Sequence, residues 1–98
     1  MSSKRGIDFI NFSHTVLSHI EHYTVPQYGD KPDDQVESWA PEQCLDSIKR
    51  YVNRFGTNRR GRIETLRDIV KIAHFAQLIF DKMEPTWNER VNIEEGKV

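Results

Sequence analysis

Apolar side chains recur at steps of three and four residues over three long segments of this chain. That spacing places them along one face of an α-helix, whereas a half-buried strand would alternate apolar and polar residues. No segment alternates for long enough to predict a strand. The sequence therefore predicts an all-α fold, and more specifically a small three-helix bundle with a long ordered loop between the first and second helices.

Proline and glycine residues suggest where these helices begin and end. The first helix is predicted at about residues 7–22, and Val25-Pro26 is expected to stop it because the residue before proline avoids the helical region. The second is predicted at 41–55, since proline fits the first position of a helix and glycine often follows the last. The third is predicted at about 62–83.

The segments outside the three helices have different characters. Residues 28–40 are acidic and rich in turn formers, and we expect Tyr28 and Trp39 to anchor this loop to the body. The alternative is that these two aromatic side chains stack on a base. Residues 86–98 show no helical periodicity, so the sequence predicts a flexible or loosely docked C-terminal tail. Residues 1–85 are then a single helical domain.

The second predicted helix carries one continuous apolar stripe, which we expect to pack on the third helix. Its members are Cys44, Leu45, Ile48, Tyr51, Val52 and Phe55. On the third helix, Phe75 and Leu78 fall among the polar positions instead. Only 37% of the chain is hydrophobic, so the core is expected to be thin and burial against a partner is an alternative source of stability.

Composition limits the cellular context. Cys44 is the only cysteine, so no intrachain disulfide can form and a reducing compartment is indicated. The first ten residues lack the apolar core of a signal peptide, and no apolar run reaches the length of a membrane span. We therefore expect a cytoplasmic protein with no membrane partner.

The net charge of −1 hides a strong separation of charge along the chain. Residues 49–67 contain seven basic residues against Glu64 alone, whereas residues 30–42 contain five acidic residues against Lys31 alone. The basic residues are Lys49, Arg50, Arg54, Arg59, Arg60, Arg62 and Arg67. A basic cluster of this kind suits phosphate oxygens, although a solvated basic surface is the plainer interpretation.

Four residues are the candidate ligand contacts. Arg50 and Arg54 are four apart on the second predicted helix and share a face, so both could neutralise a phosphate. Lys71 and His74 lie on the polar arc of the third, where the lysine could add a charge and the histidine could orient or protonate a ligand. His74 is thus the candidate catalytic residue, and a polar-face histidine without function is the alternative.

Two carboxylates are candidate metal ligands. Glu64 and Asp68 are one helical turn apart, a spacing that can hold Mg²⁺ together with substrate phosphates. The alternative is that they pair with neighbouring cations, as Asp68 could with Lys71.

Several short motifs resemble small helical proteins of phages and prophages. They are Tyr28-Gly29-Asp30, Trp39, Lys49-Arg50-Tyr51, Phe55-Gly56 and Ala73-His74-Phe75-Ala76. Similar proteins include the phage-encoded dATP/dGTP diphosphohydrolase-like domain and a phage family that includes a small nucleotide kinase. This resemblance implies a nucleotide-related role. The helical nucleotide pyrophosphohydrolases have a set of four acidic metal ligands. This chain departs from them because only two acidic residues, Glu64 and Asp68, have a suitable spacing.

The sequence thus leaves two functions open. The first is a domain that binds a nucleotide or another phosphate-bearing ligand, with or without catalysis. The second is a non-catalytic protein–protein interaction module or homo-oligomer, for which a second copy of the chain is a candidate partner. The acidic loop and the near-zero net charge argue against nucleic acid as a partner.

Overall fold

The computed structural model describes residues 3–30, 34–57 and 61–96. Within these ranges every regular element is a helix, which confirms the all-α prediction. None of the helices described is long and apolar enough to cross a membrane. In chain order the elements are α1 (Lys4–His19), a π-helical turn (Ile20–Thr24), α2 (Val25–Tyr28), α3 (Asp34–Ser38), α4 (Pro41–Asn53), α5 (Arg62–Lys82) and α6 (Trp87–Glu94).

The first helix does not stop at Val25-Pro26, contrary to the prediction. It continues through the π-helical turn into α2, and the Val25 N–H donates to the carbonyl oxygen of Ile20, five residues back. Pro26 lies just after the π-helical turn, at the start of α2. The helix ends at Gly29, whose φ of 88° is a left-handed conformation that favours glycine.

The segment predicted as a long loop contains the short helix α3. The Lys82 ammonium, at the end of α5, donates to the carbonyl oxygens of Val36 at 2.9 Å and Glu37 at 3.0 Å. A cation is favourable there because the last carbonyl groups of a helix carry partial negative charge. Of the two predicted anchors, Trp39 is half-buried and Tyr28 is exposed. Lys82, rather than Tyr28, attaches this segment to α5.

The segment predicted as a tail contains α6, which the absence of apolar periodicity did not reveal. Its first turn is closed by a capping box, in which the Glu89 N–H donates to Thr86 Oγ1 and the Thr86 N–H donates to Glu89 Oε1. The side chain of Arg90 lies over the ring of Phe80 on α5, 4.9 Å from its centroid. Thr-x-x-Glu at residues 86–89 is the sequence signal that predicts this helix start.

The long helix α5 is the centre of the arrangement. α4 packs on it more extensively than any other pair of the described helices pack on each other, and α1 packs on it as well. α1 and α4 make little or no contact with each other, so the three long helices form a more open assembly than a closed bundle. α1 contributes no buried residue.

A bidentate ion pair joins α4 to α5. Arg54, just after α4, donates from Nε to Asp68 Oδ2 at 2.7 Å and from Nη2 to Asp68 Oδ1 at 2.6 Å. The Asp68 side chain is only 5% exposed, whereas that of Arg54 is 43% exposed. A buried carboxylate is tolerated when it is paired and hydrogen-bonded in this way.

The face of α4 turned toward α5 is not the predicted apolar stripe. Cys44 and Ser47 are the buried residues of α4, and with Tyr51 and Arg54 they form an inner row at steps of three and four. The residue that follows each member of this row in sequence, such as Leu45 or Val52, lies about 100° further around the helix. The expectation that the whole stripe packs on the third helix is therefore wrong for Leu45, Val52 and Phe55, which are exposed.

We expect Asp68→Ala to lower the free energy of unfolding by about 2 kcal/mol, because it removes two charge-assisted hydrogen bonds from a buried position. Urea denaturation followed by circular dichroism measures this change. Asp46→Ala is the matched control, since Asp46 is an exposed aspartate on α4 and its loss should alter stability little. Equal effects of the two substitutions would contradict the structural role of Asp68.

Candidate functional site

Three of the four predicted ligand contacts meet around one aromatic ring. The centroid of the Tyr51 ring lies 5.4 Å from Cζ of Arg50, 5.0 Å from Cζ of Arg54 and 5.8 Å from Nζ of Lys71. The negative face of an aromatic ring attracts cations at this range. The structure thus brings together cations from α4 and α5 that are up to 21 residues apart in sequence.

The fourth predicted contact, His74, lies one turn beyond Lys71 on α5 and is half-buried. Both side chains line a cavity of about 530 Å³, together with Tyr51. Most of the remaining wall is apolar. Its aromatic residues come from the π-helical turn, α2, α4, α5 and the residue after α3, and they are Tyr23, Tyr28, Trp39, Tyr51 and Phe75.

The three cations differ in how far their charge is already neutralised. Arg54 is held by Asp68 through two hydrogen bonds. Among the residues that the structure describes, neither Arg50 nor Lys71 forms an ion pair with a carboxylate. Among the described residues that line the cavity, Asp30 is the only one with a carboxylate. An anion that approached Tyr51 would therefore meet positive charge that the protein has not paired.

The two histidines of the cavity are biased toward the neutral form. Burial lowers the pKa of His74, and the neighbouring His19 lowers it further. Burial also lowers the pKa of His19, and so do the positive charges of Lys71 and Arg67. A neutral imidazole at pH 7 can accept a proton or a hydrogen bond. The candidate catalytic role of His74 is chemically compatible with this environment.

The candidate Mg²⁺ ligands each contact an arginine. Glu64 Oε1 accepts a hydrogen bond from Arg67 Nη1 at 2.5 Å, and Asp68 accepts two from Arg54. Asp68 therefore pairs with Arg54, and the ordinary surface pair with Lys71 that its spacing suggested is not the arrangement observed. Across residues 3–30, 34–57 and 61–96, no three His, Cys, Asp or Glu side chains are grouped so as to hold a metal ion.

Sequence reasoning considered Tyr28 and Trp39 as base-stacking residues but missed Tyr51 and Phe75 as aromatic residues of this site. It placed Tyr51 in the apolar stripe of α4 and Phe75 among polar positions of α5, yet their rings lie 6.3 Å apart and both line the cavity. The sequence feature that could have indicated this site is Tyr51 next to Arg50 on α4, together with Phe75 on the polar arc of α5. Arg59 and Arg60, which belonged to the predicted basic cluster, lie outside the described residues.

The lowered pKa of His74 predicts a pH dependence of stability. Between that pKa and the ordinary value of 6.5, the unfolded chain binds more protons at this position than the folded chain does. The free energy of unfolding should therefore decrease as the pH falls from about 7.5 to about 5.5, and His74→Gln should reduce this decrease.

Urea denaturation at the two pH values measures the effect. His14→Gln is the matched control, because His14 is exposed on α1. Should His74→Gln leave the pH dependence as large as in the parent protein and the control, the burial of a neutral His74 would be refuted.

The chain was compared with family models, with curated proteins and with solved structures, and nothing matches it. The resemblance to phage-type nucleotide proteins stays a prediction, and the function is inferred from the site itself.

Proposed function

We propose that this protein binds a nucleotide, or another ligand that joins a planar apolar group to a phosphate, in the cavity beside Tyr51. The observation that carries this proposal is the position of Arg50 and Lys71. Both lie within 6 Å of the centroid of one aromatic ring, and neither has a carboxylate partner among the described residues.

The cavity suits the planar part of such a ligand. Its volume of about 530 Å³ lies within the range of roughly 300–1,000 Å³ that is usual for small-molecule sites. Aromatic side chains supply much of its wall, and stacking of a base on an aromatic ring contributes about 1–3 kcal/mol. Trp39 and Tyr28 come from the segment between α2 and α4, so this segment would form part of the ligand contact.

The cations suit the phosphate part. Lys71 is in the cavity wall, and Arg50 reaches the same tyrosine ring from α4. Arg54 uses Nε and Nη2 to hold Asp68, and its guanidinium has further N–H groups available because its side chain is 43% exposed. A phosphate placed against Tyr51 would then receive donors from two helices.

The geometry favours binding over hydrolysis. Glu64 and Asp68 would have to give up their arginine partners before they could hold a metal ion, which raises the free-energy cost of a protein-bound Mg²⁺ site. Mg²⁺ could still arrive on the phosphates of the ligand. His74, held neutral, would hydrogen-bond to the ligand rather than add charge.

A cytoplasmic location accompanies this proposal. Cys44 is a buried free thiol, and thiols persist in reducing compartments. Nucleotides and sugar phosphates are ligands of the kind such a compartment supplies. The phage-type resemblance in Tyr28-Gly29-Asp30 and Lys49-Arg50-Tyr51 points in the same direction, because the first motif and Tyr51 of the second line the cavity.

Lys71→Gln should weaken nucleotide binding at least tenfold, because it removes from the cavity wall a cation that no described carboxylate pairs. The loss of binding free energy should be about 1.4 kcal/mol or more. Isothermal titration calorimetry with ATP, dATP and dGTP, each with and without Mg²⁺, measures this affinity. A nucleotide at 100 times its dissociation constant should also stabilise the parent protein by about 2.7 kcal/mol.

The matched control is Lys49→Gln. Lys49 is exposed on α4 next to Arg50, yet it does not line the cavity. Equal losses in the two variants would show only a general electrostatic attraction. Absence of binding to every nucleotide and to inorganic phosphate would reject the proposal.

A further inference from the structure

A second row of side chains, which we call the outer row, runs along α4 and ends just beyond it: Leu45, Ile48, Val52 and Phe55. The steps of three, four and three residues are those of the a and d positions of a coiled coil, which face a partner helix. Leu45 is 43% exposed, Val52 56% and Phe55 62%. Ile48 is half-buried, so the exposed part of the outer row consists of Leu45, Val52 and Phe55.

The surface of the whole chain is also too large for a compact monomer. Its accessible area is 8051 Å², whereas a folded monomer of its mass is expected to expose about 5,800 Å². The radius of gyration is 15.2 Å, against about 12.6 Å expected for this length. The excess of about 2,200 Å² is more than the roughly 800 Å² that each partner buries in a standard interface.

We propose that the outer row of α4 packs against the outer row of a second copy of this chain. The excess area matches what a permanent homodimer covers, and such interfaces resemble an apolar core cut in half. A two-fold interface uses the same patch on both copies, so an apolar row of this regular spacing is complementary to itself. α4 then takes part in two layers, one with α5 and one with its copy.

This contact is independent of the proposed ligand site. Arg50 and Val52 are two residues apart, which places them about 200° apart around α4. The dimer contact therefore lies on the side of the helix opposite Arg50. Substitutions in the outer row should change the association of the chain and leave nucleotide binding in the cavity intact.

Sedimentation equilibrium or light scattering of the full chain tests the proposal. The parent protein should have twice the 11.5 kDa mass of one chain, and Val52→Asp should raise the dimer dissociation constant at least tenfold. Ile93→Asp is the matched control, because Ile93 is 51% exposed on α6 and should leave the dimer unchanged. A parent protein that is still monomeric at a concentration of about 100 μM overturns the proposal.

Two further outcomes also overturn it: a dimer that survives Val52→Asp, and equal weakening by Val52→Asp and Ile93→Asp. If Val52→Asp loses the helical circular dichroism signal of the parent, it does not fold, and Phe55→Ser is used as the test variant instead. Phe55 follows the end of α4 and is 62% exposed, so its loss should weaken the dimer at least tenfold while the chain stays helical. A helical Phe55→Ser variant with an unchanged dimer dissociation constant rejects the outer row as the interface.

Discussion

The bidentate ion pair between Arg54 and Asp68 sets the rotation of α4 on α5. Asp68 is buried, and a buried carboxylate without a cationic partner is strongly destabilising. Its partner is the fourth member of a row at residues 44, 47, 51 and 54, so this row must face α5. The small side chains of Cys44 and Ser47 allow the two helices to approach closely along it.

Two features of the surface follow from that rotation. Tyr51 is brought beside Phe75, and the cations of both helices gather around its ring at the edge of an aromatic cavity. Leu45 and Val52 are turned away from α5 and stay exposed. A rotation of about 100° would bury them, but it would separate Arg54 from Asp68. The proposed ligand site and the proposed dimer surface thus share one structural cause.

The approximate positions of the three long helices could be predicted from the sequence because apolar spacing is a local signal, whereas α3 and α6 are too short to show it. The rotation of α4 could not, because an apolar stripe reports average hydrophobicity and does not reveal that Arg54 pairs with an aspartate 14 residues later. The end of the first helix was also predicted wrongly. Proline ordinarily ends a helix, but here a π-helical turn directly before α2 accommodates Pro26. Of the site, the cations were predicted and Tyr28 and Trp39 were considered as stacking residues, but the cavity that Tyr51 and Phe75 complete was not predicted.

A double-mutant cycle tests the central claim most directly. The free energy of unfolding is measured for the parent protein, Arg54→Ala, Asp68→Ala and the double variant, and a second cycle is measured on the exposed pair Lys4 and Asp8. The account predicts a coupling free energy for Arg54 and Asp68 that clearly exceeds that of the exposed pair. A coupling no larger than that of Lys4 and Asp8 would contradict it, because α4 would then owe its orientation to some other contact.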